Sequence, residues 1–402
     1  MKVGWAGGMS VLLAAGLLSG CGSSKKSSSS TSTTSGSTTP TTAISASSFT
    51  NDFSAMKNLT SLAAAGKGKV AAILPDTVSS TRYQEFDQPD LMQALTTAGL
   101  SSSDVIIQNA QASDTTELTD AQTDITNGAT VLMVDPLDSG VGAQIETYAK
   151  SHGVAVIDYD RLTLGGSRSY YVSFDNVKVG TVMGQGLVSC VAAWNVSKPN
   201  VVVMHGAETD NNATLFAQGY NAVLKPMFDS GAWVDVVNTA GTWDPPTAAT
   251  EFEQAFTAHP NINAALIPND ETGAPIITYL QGQHIKPKTF PTTGQDATLT
   301  GLQNILAGYQ CGTVYKPIFL EAQAAAALAI YLRDAKTPPS SLANGQTNDS
   351  TSNTQVPSVL LTPEWVTASN MNSTVVKDNF VPATQLCAGT FAADCTAAGI
   401  TP

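Results

Sequence analysis

Six polar residues stand where chemistry could be done: Asp76, Asp135, Asp160, Arg161, Asn269 and Asp270. Each lies within about three residues of the end of a short apolar run, where α/β proteins place their ligands. Asp296 belongs with them, although the run before it is weak. Two such carboxylates could serve as acid and base on a glycosidic bond. Asn, Arg and Lys accompany them here, and that mixture suits static hydrogen bonding to hydroxyl groups better than proton transfer. Each residue could equally cap the helix that follows it. Other chemistries have no footing. The chain lacks GxGxxG, GxxxxGK[ST], HExxH and GxSxG. His152, His205, His259 and His284 are scattered without metal-ligand spacing and read as surface or packing residues. No cysteine adjoins a candidate base, and no paired CxxC knuckles suggest zinc.

The elements that must position these residues repeat regularly from Lys69. Apolar runs occur at 70–74, 105–108, 131–134, 154–158, 170–174, 201–204, 234–237, 264–267 and 313–315. Several are continuous Val/Ile/Leu segments, as in parallel strands covered on both faces. Between them the pattern predicts helices near 84–98, 115–127, 140–151, 179–194, 214–228, 248–258, 272–283, 298–307 and 318–334. Asp114-Thr115-Thr116-Glu117 reads as a capping box, and Gly128 as a helix stop. Such alternation implies an α/β protein with parallel sheets. It is too long for one open sheet of ordinary size, so two similar lobes are expected.

With 402 residues the chain can bury a large core. Its net charge is −13 with only 19 Lys and Arg, which disfavours nucleic acid and basic-patch binding to lipid. Residues 1–20 read as a signal peptide, because the apolar run Val11–Leu18 is too short to span a bilayer. Leu18-Ser19-Gly20-Cys21 resembles a lipobox, which would make Cys21 a lipidated N-terminus. Residues 22–50 are almost only Ser, Thr, Gly and Ala, so 21–66 is expected to be a flexible tether.

The stretches Asp158-Tyr-Asp-Arg161 and Tyr171-Val-Ser-Phe-Asp-Asn-Val-Lys-Val-Gly180 resemble the periplasmic sugar-binding proteins of ABC transporters, type I fold. Asp210-Asn-Asn-Ala-Thr-Leu-Phe216, Asn269-Asp270, Gly294-Gln-Asp296, Thr313-Val-Tyr-Lys-Pro317 and Val356–Pro363 agree, over about 69–382 and most closely with the xylose-binding branch. The resemblance implies two Rossmann-like lobes joined by three crossover strands near 174–178, 316–319 and 350–358. Lobe one would hold 67–175 plus 319–350, and lobe two 178–316 plus 358–402.

Carried over by motif, the ligand set is Arg82, Asp160, Arg161, Asp210, Asn212, Asn269, Asp296 and Lys316, with Trp243 and Tyr83 stacking on the sugar. Tyr83 departs from the xylose-binding pattern, which has a Trp there, and adds a hydroxyl that wants a partner. Asp135 is read as packing. The resemblance implies no catalytic residue, metal or cofactor. It implies capture of a monosaccharide, D-xylose first, for an ABC permease and ATPase. The protein would be monomeric, and lipid-anchored on the outer face of the cytoplasmic membrane or periplasmic. Rival readings are a binder of glucose, galactose or arabinose, a sugar sensor for a signalling partner, and a surface glycosidase. Four cysteines remain in an oxidising compartment. Cys387 and Cys395, eight apart in the tail, are expected to pair, leaving Cys190 with Cys311.

Overall fold

The computed structural model of the protein describes residues 44–401. The signal segment, Cys21 and the start of the tether lie outside the described residues. The later part of the expected tether is folded. Short 3₁₀ turns at Ala46–Ser48 and Ser54–Leu59 lead into α1 (Thr60–Ala65). Ile44, Phe49, Phe53, Met56 and Leu59 are buried in the main core. These apolar residues are few and set among Ser and Thr, so composition hides them; together they still cover one face of the neighbouring helices.

From there strands and helices alternate: β1 (Lys69–Leu74), α2 (Gln88–Thr97), β2 (Val105–Asn109), α3 (Asp114–Thr126), β3 (Ala129–Val134), α4 (Ser139–Ser151), β4 (Ala155–Tyr159) and β5 (Tyr170–Phe174). These strands run parallel in a seven-stranded sheet, in the order β2-β1-β3-β4-β5. Residues of β1 and β3 are almost all buried, as their unbroken apolar runs require. Helix α3 differs from its predicted start. Ser113 is the cap and accepts from Thr116 N at 3.2 Å, while Glu117 turns inward to Leu137 N. Ser113 wins because its backbone is extended, the conformation that aims a side chain back at the helix.

The second lobe runs through α5 (Asn176–Ala193), β6 (Asn200–Val203), α6 (Asn211–Asp229), β7 (Val234–Asn238), α7 (Pro245–Ala258), β8 (Ala264–Leu266), α8 (Asp270–Gly282), α9 (Leu299–Leu306) and β9 (Thr313–Tyr315). Its parallel sheet has the order β7-β6-β8, extended by single bridges at Thr292 and Gln295. The chain then returns to the large sheet as α10 (Ile318–Arg333), in which Ala322–Ile330 are all buried. A helix apolar all round belongs inside, and this one lies between the large sheet and α2. A hairpin follows, β10 (Gly345–Asp349) and β11 (Thr354–Leu361), and β11 adds parallel to β5 with Ser358 opposite Tyr171. Strand β12 (Glu364–Val366) pairs antiparallel with β9, and two short helices, α11 (Ala383–Leu386) and α12 (Ala392–Ala397), end the chain.

The chain thus passes between lobes after Phe174, after Tyr315 and after Leu361. The third passage lies beyond the implied stretch 350–358, because β11 stays in the large sheet through Leu361. Residues 358–361 therefore belong to lobe one. Cys190 bonds to Cys311 and Cys387 to Cys395. Among the described residues no helix is long and apolar enough to cross a membrane.

Helices α5 and α6 approach until their backbones touch. A Cβ on Gly180 would meet Phe216 O at 2.0 Å, and one on Gly219 would meet Val177 O at 2.2 Å. Neither obstacle is a side chain that could swing away. Gly219→Ala should therefore destabilise the protein by about 1–3 kcal/mol. In urea the midpoint should fall with the slope unchanged; a midpoint equal to the wild type would show that the helices separate freely.

Candidate functional site

The first wall grows from the loop after β1. Asp76 accepts from Val78 N at 2.7 Å, Ser79 N at 2.6 Å and Ser79 Oγ at 2.7 Å, which folds the loop back and presents Ser79 and Ser80. A π-helical turn at Tyr83–Asp87 follows. Such turns re-aim side chains and recur at functional sites. Arg82, 1% exposed, meets three carboxylates. It donates to Asp87 through Nε at 2.9 Å and Nη2 at 2.7 Å, to Glu321 Oε2 at 2.8 Å and to Asp160 Oδ1 at 3.1 Å.

Asp160 and Arg161 follow β4. Asp160 sits in the left-handed region at φ 58°, a strained choice for a non-glycine residue. Val172 O accepts from its backbone N at 2.9 Å and holds the kink. Burial pushes its carboxyl upward, but Arg82, Lys316 and Arg161 outweigh it and hold Asp160 at about 2. Tyr83 OH donates to Asp160 Oδ2 at 3.2 Å and accepts from Arg161 Nη2 at 3.2 Å. The tyrosine hydroxyl is thus satisfied within the wall, and Arg82 and Arg161 lie 5.3 and 5.8 Å from its ring centroid.

The opposite wall comes from helix starts. Asp210 caps α6 by accepting from Asn212 N at 2.8 Å, and its other oxygen accepts from Trp243 Nε1 at 3.0 Å. Asn269 caps α8 through Thr272 N at 2.9 Å and donates Nδ2 to Ser79 O at 2.8 Å. Asp296, at φ 87°, lies 3.0 Å from Lys316 Nζ and accepts from Ser80 Oγ at 3.0 Å. Asn212 donates to Asp160 O at 2.9 Å, and Arg161 Nε lies 3.5 Å from Asp210. Trp243 forms an apolar panel, edge to face with Phe216 at 6.5 Å. Gly206 makes room for it, since a Cβ there would lie 2.3 Å from the indole.

All ten residues of the motif-derived set line one chamber between the lobes. Ser79, Ser80, Phe216 and Gln295 complete it. Phe216 and Gln295 lie in motifs already quoted, whereas the serines carry no sequence signal. Three of the strand-end acids stand back from it. Asp76 shapes the serine loop. Asp135 lies behind Arg161, 3.6 Å from its Nε, and burial pushes its carboxyl well above the usual range. Asp270 accepts from Thr298 N, Gln310 Nε2 and Thr313 Oγ1, bracing the second lobe instead.

The arrangement is a polar chamber between two lobes, built to hold a small hydroxylated molecule rather than to attack one. Its acids are committed to cations or helix starts, and Asp160 is too acidic to donate a proton near neutrality. This is the architecture of a two-lobed solute-binding protein. Residues 70–337 match the periplasmic binding protein domain family, and the chain belongs to that family. It is a binding protein, not an enzyme. It is 35% identical over 332 residues to the D-xylose-binding periplasmic protein of Escherichia coli K12, covering 80% of this chain and 94% of that one. The multiple sugar-binding periplasmic receptor ChvE of Rhizobium radiobacter is 30% identical, covering 80% and 93%. Among solved structures, a carbohydrate transporter solute-binding protein from Chloroflexus aurantiacus in complex with D-glucose has a TM-score of 0.70 at 27% identity, covering 79% and 97%.

Arg82→Met would strand Asp87, Asp160 and Glu321 without their shared cation. The expected loss is about 3–5 kcal/mol in chemical unfolding. Adding Glu321→Gln should recover part of it, since one fewer buried acid is then left without the cation. A double variant no more stable than the single one would show that Glu321 is not part of the balance.

Proposed function

We propose that the chain captures a monosaccharide, D-xylose first, between its lobes and delivers it to the permease and ATPase of an ABC importer. One observation carries this reading: carboxylates, amides and cations from both lobes converge on a single small chamber with one indole face. A sugar hydroxyl donates and accepts at once, so it can bridge Asp296 and Lys316, or Asp210 and Arg161. Hydrogen bonds to charged partners contribute roughly 1.5–3 kcal/mol each. The C–H face of a pyranose packs on Trp243. Because the groups come from both lobes, the ligand favours the closed state.

The leading relatives named for D-xylose support this sugar. A hexose is the second reading, favoured by the D-glucose held in the similar Chloroflexus structure. Tyr83 bears on the choice, since its hydroxyl is engaged by Asp160 and Arg161 and leaves only its ring for the ligand. Cys21 would carry the lipid, with residues 22–43 as the tether, holding a monomer at the outer face of the cytoplasmic membrane or in the periplasm.

Calorimetry of the 42–402 fragment, refolded to strip bound sugar, tests the reading against xylose, glucose, galactose, arabinose and ribose. The fragment must begin ahead of Ile44, the first buried residue among those described. Tight binding of xylose alone is expected; tight binding of a hexose instead moves the specificity, and silence across the panel removes the monosaccharide. In the same assay Asp296→Asn should lose roughly tenfold or more in affinity while its unfolding curve stays cooperative. Unchanged affinity would remove Asp296 from the ligand set.

A further inference from the structure

Several direct bonds between the lobes are made by groups that also line the chamber. Ser79 meets Asn269, Ser80 meets Asp296, and Asp160 meets Asn212. A ligand filling the chamber competes for these same groups. A further contact lies outside the chamber, beside its serine loop. Thr81, in the loop that carries the serines, donates its backbone N–H at 2.9 Å and its Oγ1 at 3.1 Å to a single oxygen of Glu271. Glu271 lies in the first turn of α8, directly after the Asn269 cap and Asp270. Neither Thr81 nor Glu271 lines the chamber; both border a separate notch with Glu85 and Thr298.

We infer that Thr81 and Glu271 form a clasp that sets the balance between open and closed lobes without touching the ligand. Thr81 belongs to lobe one and Glu271 to lobe two, so the contact exists only when the lobes meet. Whatever free energy it supplies goes to the closed state alone, and a contact of that kind shifts a two-state equilibrium by its full value. Two donors on one carboxyl oxygen fix direction as well as distance. Burial, with Asp296 and Asp270 nearby, pushes Glu271 up to about 8, and the neutral acid offers the same oxygen to both donors. The clasp adjoins the site on both sides, because Thr81 precedes Arg82 and Glu271 follows the Asn269 cap by two positions. Glu271 is therefore a positioning residue, and it lets the protein set retention of its ligand independently of the groups that choose the ligand.

The effect on affinity rests on the sugar-binding reading, whereas the effect on lobe closure does not. Both are read on the full chain. Spin labels are placed at Lys150 in lobe one and Glu253 in lobe two through unnatural amino acids, which leaves the cysteines untouched. Pulsed distance measurements without sugar should show Glu271→Ala shifted toward longer separations. Thr81→Val, which keeps the backbone donor, should shift less. Glu271→Gln should stay near the wild type, since an amide oxygen still accepts both bonds. Binding of D-xylose and D-glucose by the wild type and Glu271→Ala should differ by about tenfold in affinity, with equal thermal unfolding midpoints. A wild-type distance distribution in Glu271→Ala overturns the clasp. So does Glu271→Gln opening as far as Glu271→Ala. If neither sugar binds the wild type but Glu271→Ala still opens the lobes, the clasp stands and only the sugar reading falls.

Discussion

The guanidinium of Arg82 is the fixed point of the site. It is buried, and it binds carboxylates from three separate places: the π-turn at Asp87, the strand end at Asp160 and the helix α10 at Glu321. An arginine can do this because its five donors are planar and it keeps its charge in a dry surrounding. Three acids cannot all remain ionised around one cation without cost. Burial accordingly drives Glu321 upward while Asp160, which also faces Lys316 and Arg161, is held down. Asp160, the one acid of the three that lines the chamber, thereby keeps its charge. Tyr159 OH, 2.5 Å from Asp87, ties the cluster to β4.

The other lobe uses economy of a different kind. Asp210 and Asn269 are helix caps and chamber groups together, each with one polar atom turned to its own helix and another turned inward. A cap is held within a fraction of an ångström by the helix it satisfies, so it makes a stiff binding group. The strained backbones at Asp160 and Asp296 do similar work. Each bends the chain sharply, Asp160 just past β4 and Asp296 just past the bridge at Gln295, and turns an acid into the chamber, while bonds from their backbone N–H groups to Val172 and Val314 hold the strain in place.

Much of the fold was legible because its core strands are covered on both faces and read as apolar runs. Strands β1, β3 and β5 are of this kind. The hairpin was not legible. Strand β10 is Gly-Gln-Thr-Asn-Asp, with no apolar periodicity, and it forms because β11 offers it an edge. Strand β11 in turn was misplaced between the lobes, since nothing in Ser358–Leu361 says which sheet it will join; the free edge of β5 decides that. The segment 44–65 was hidden by its serines and threonines.

By itself the sequence determined the alternation of strand and helix, the polar strand ends and the family motifs, because these follow from local periodicity and from residue types at fixed spacing. Tertiary structure alone decided which polar residues face the chamber. Asp76, Asp135 and Asp160 all close apolar runs, yet only Asp160 lines it, because burial, a left-handed backbone and the neighbouring cations act on that one together. Pairing across the lobes was likewise beyond the sequence. Thr81 and Glu271 are 190 residues apart, and no local pattern records a contact that exists only when two separately folded lobes close on each other.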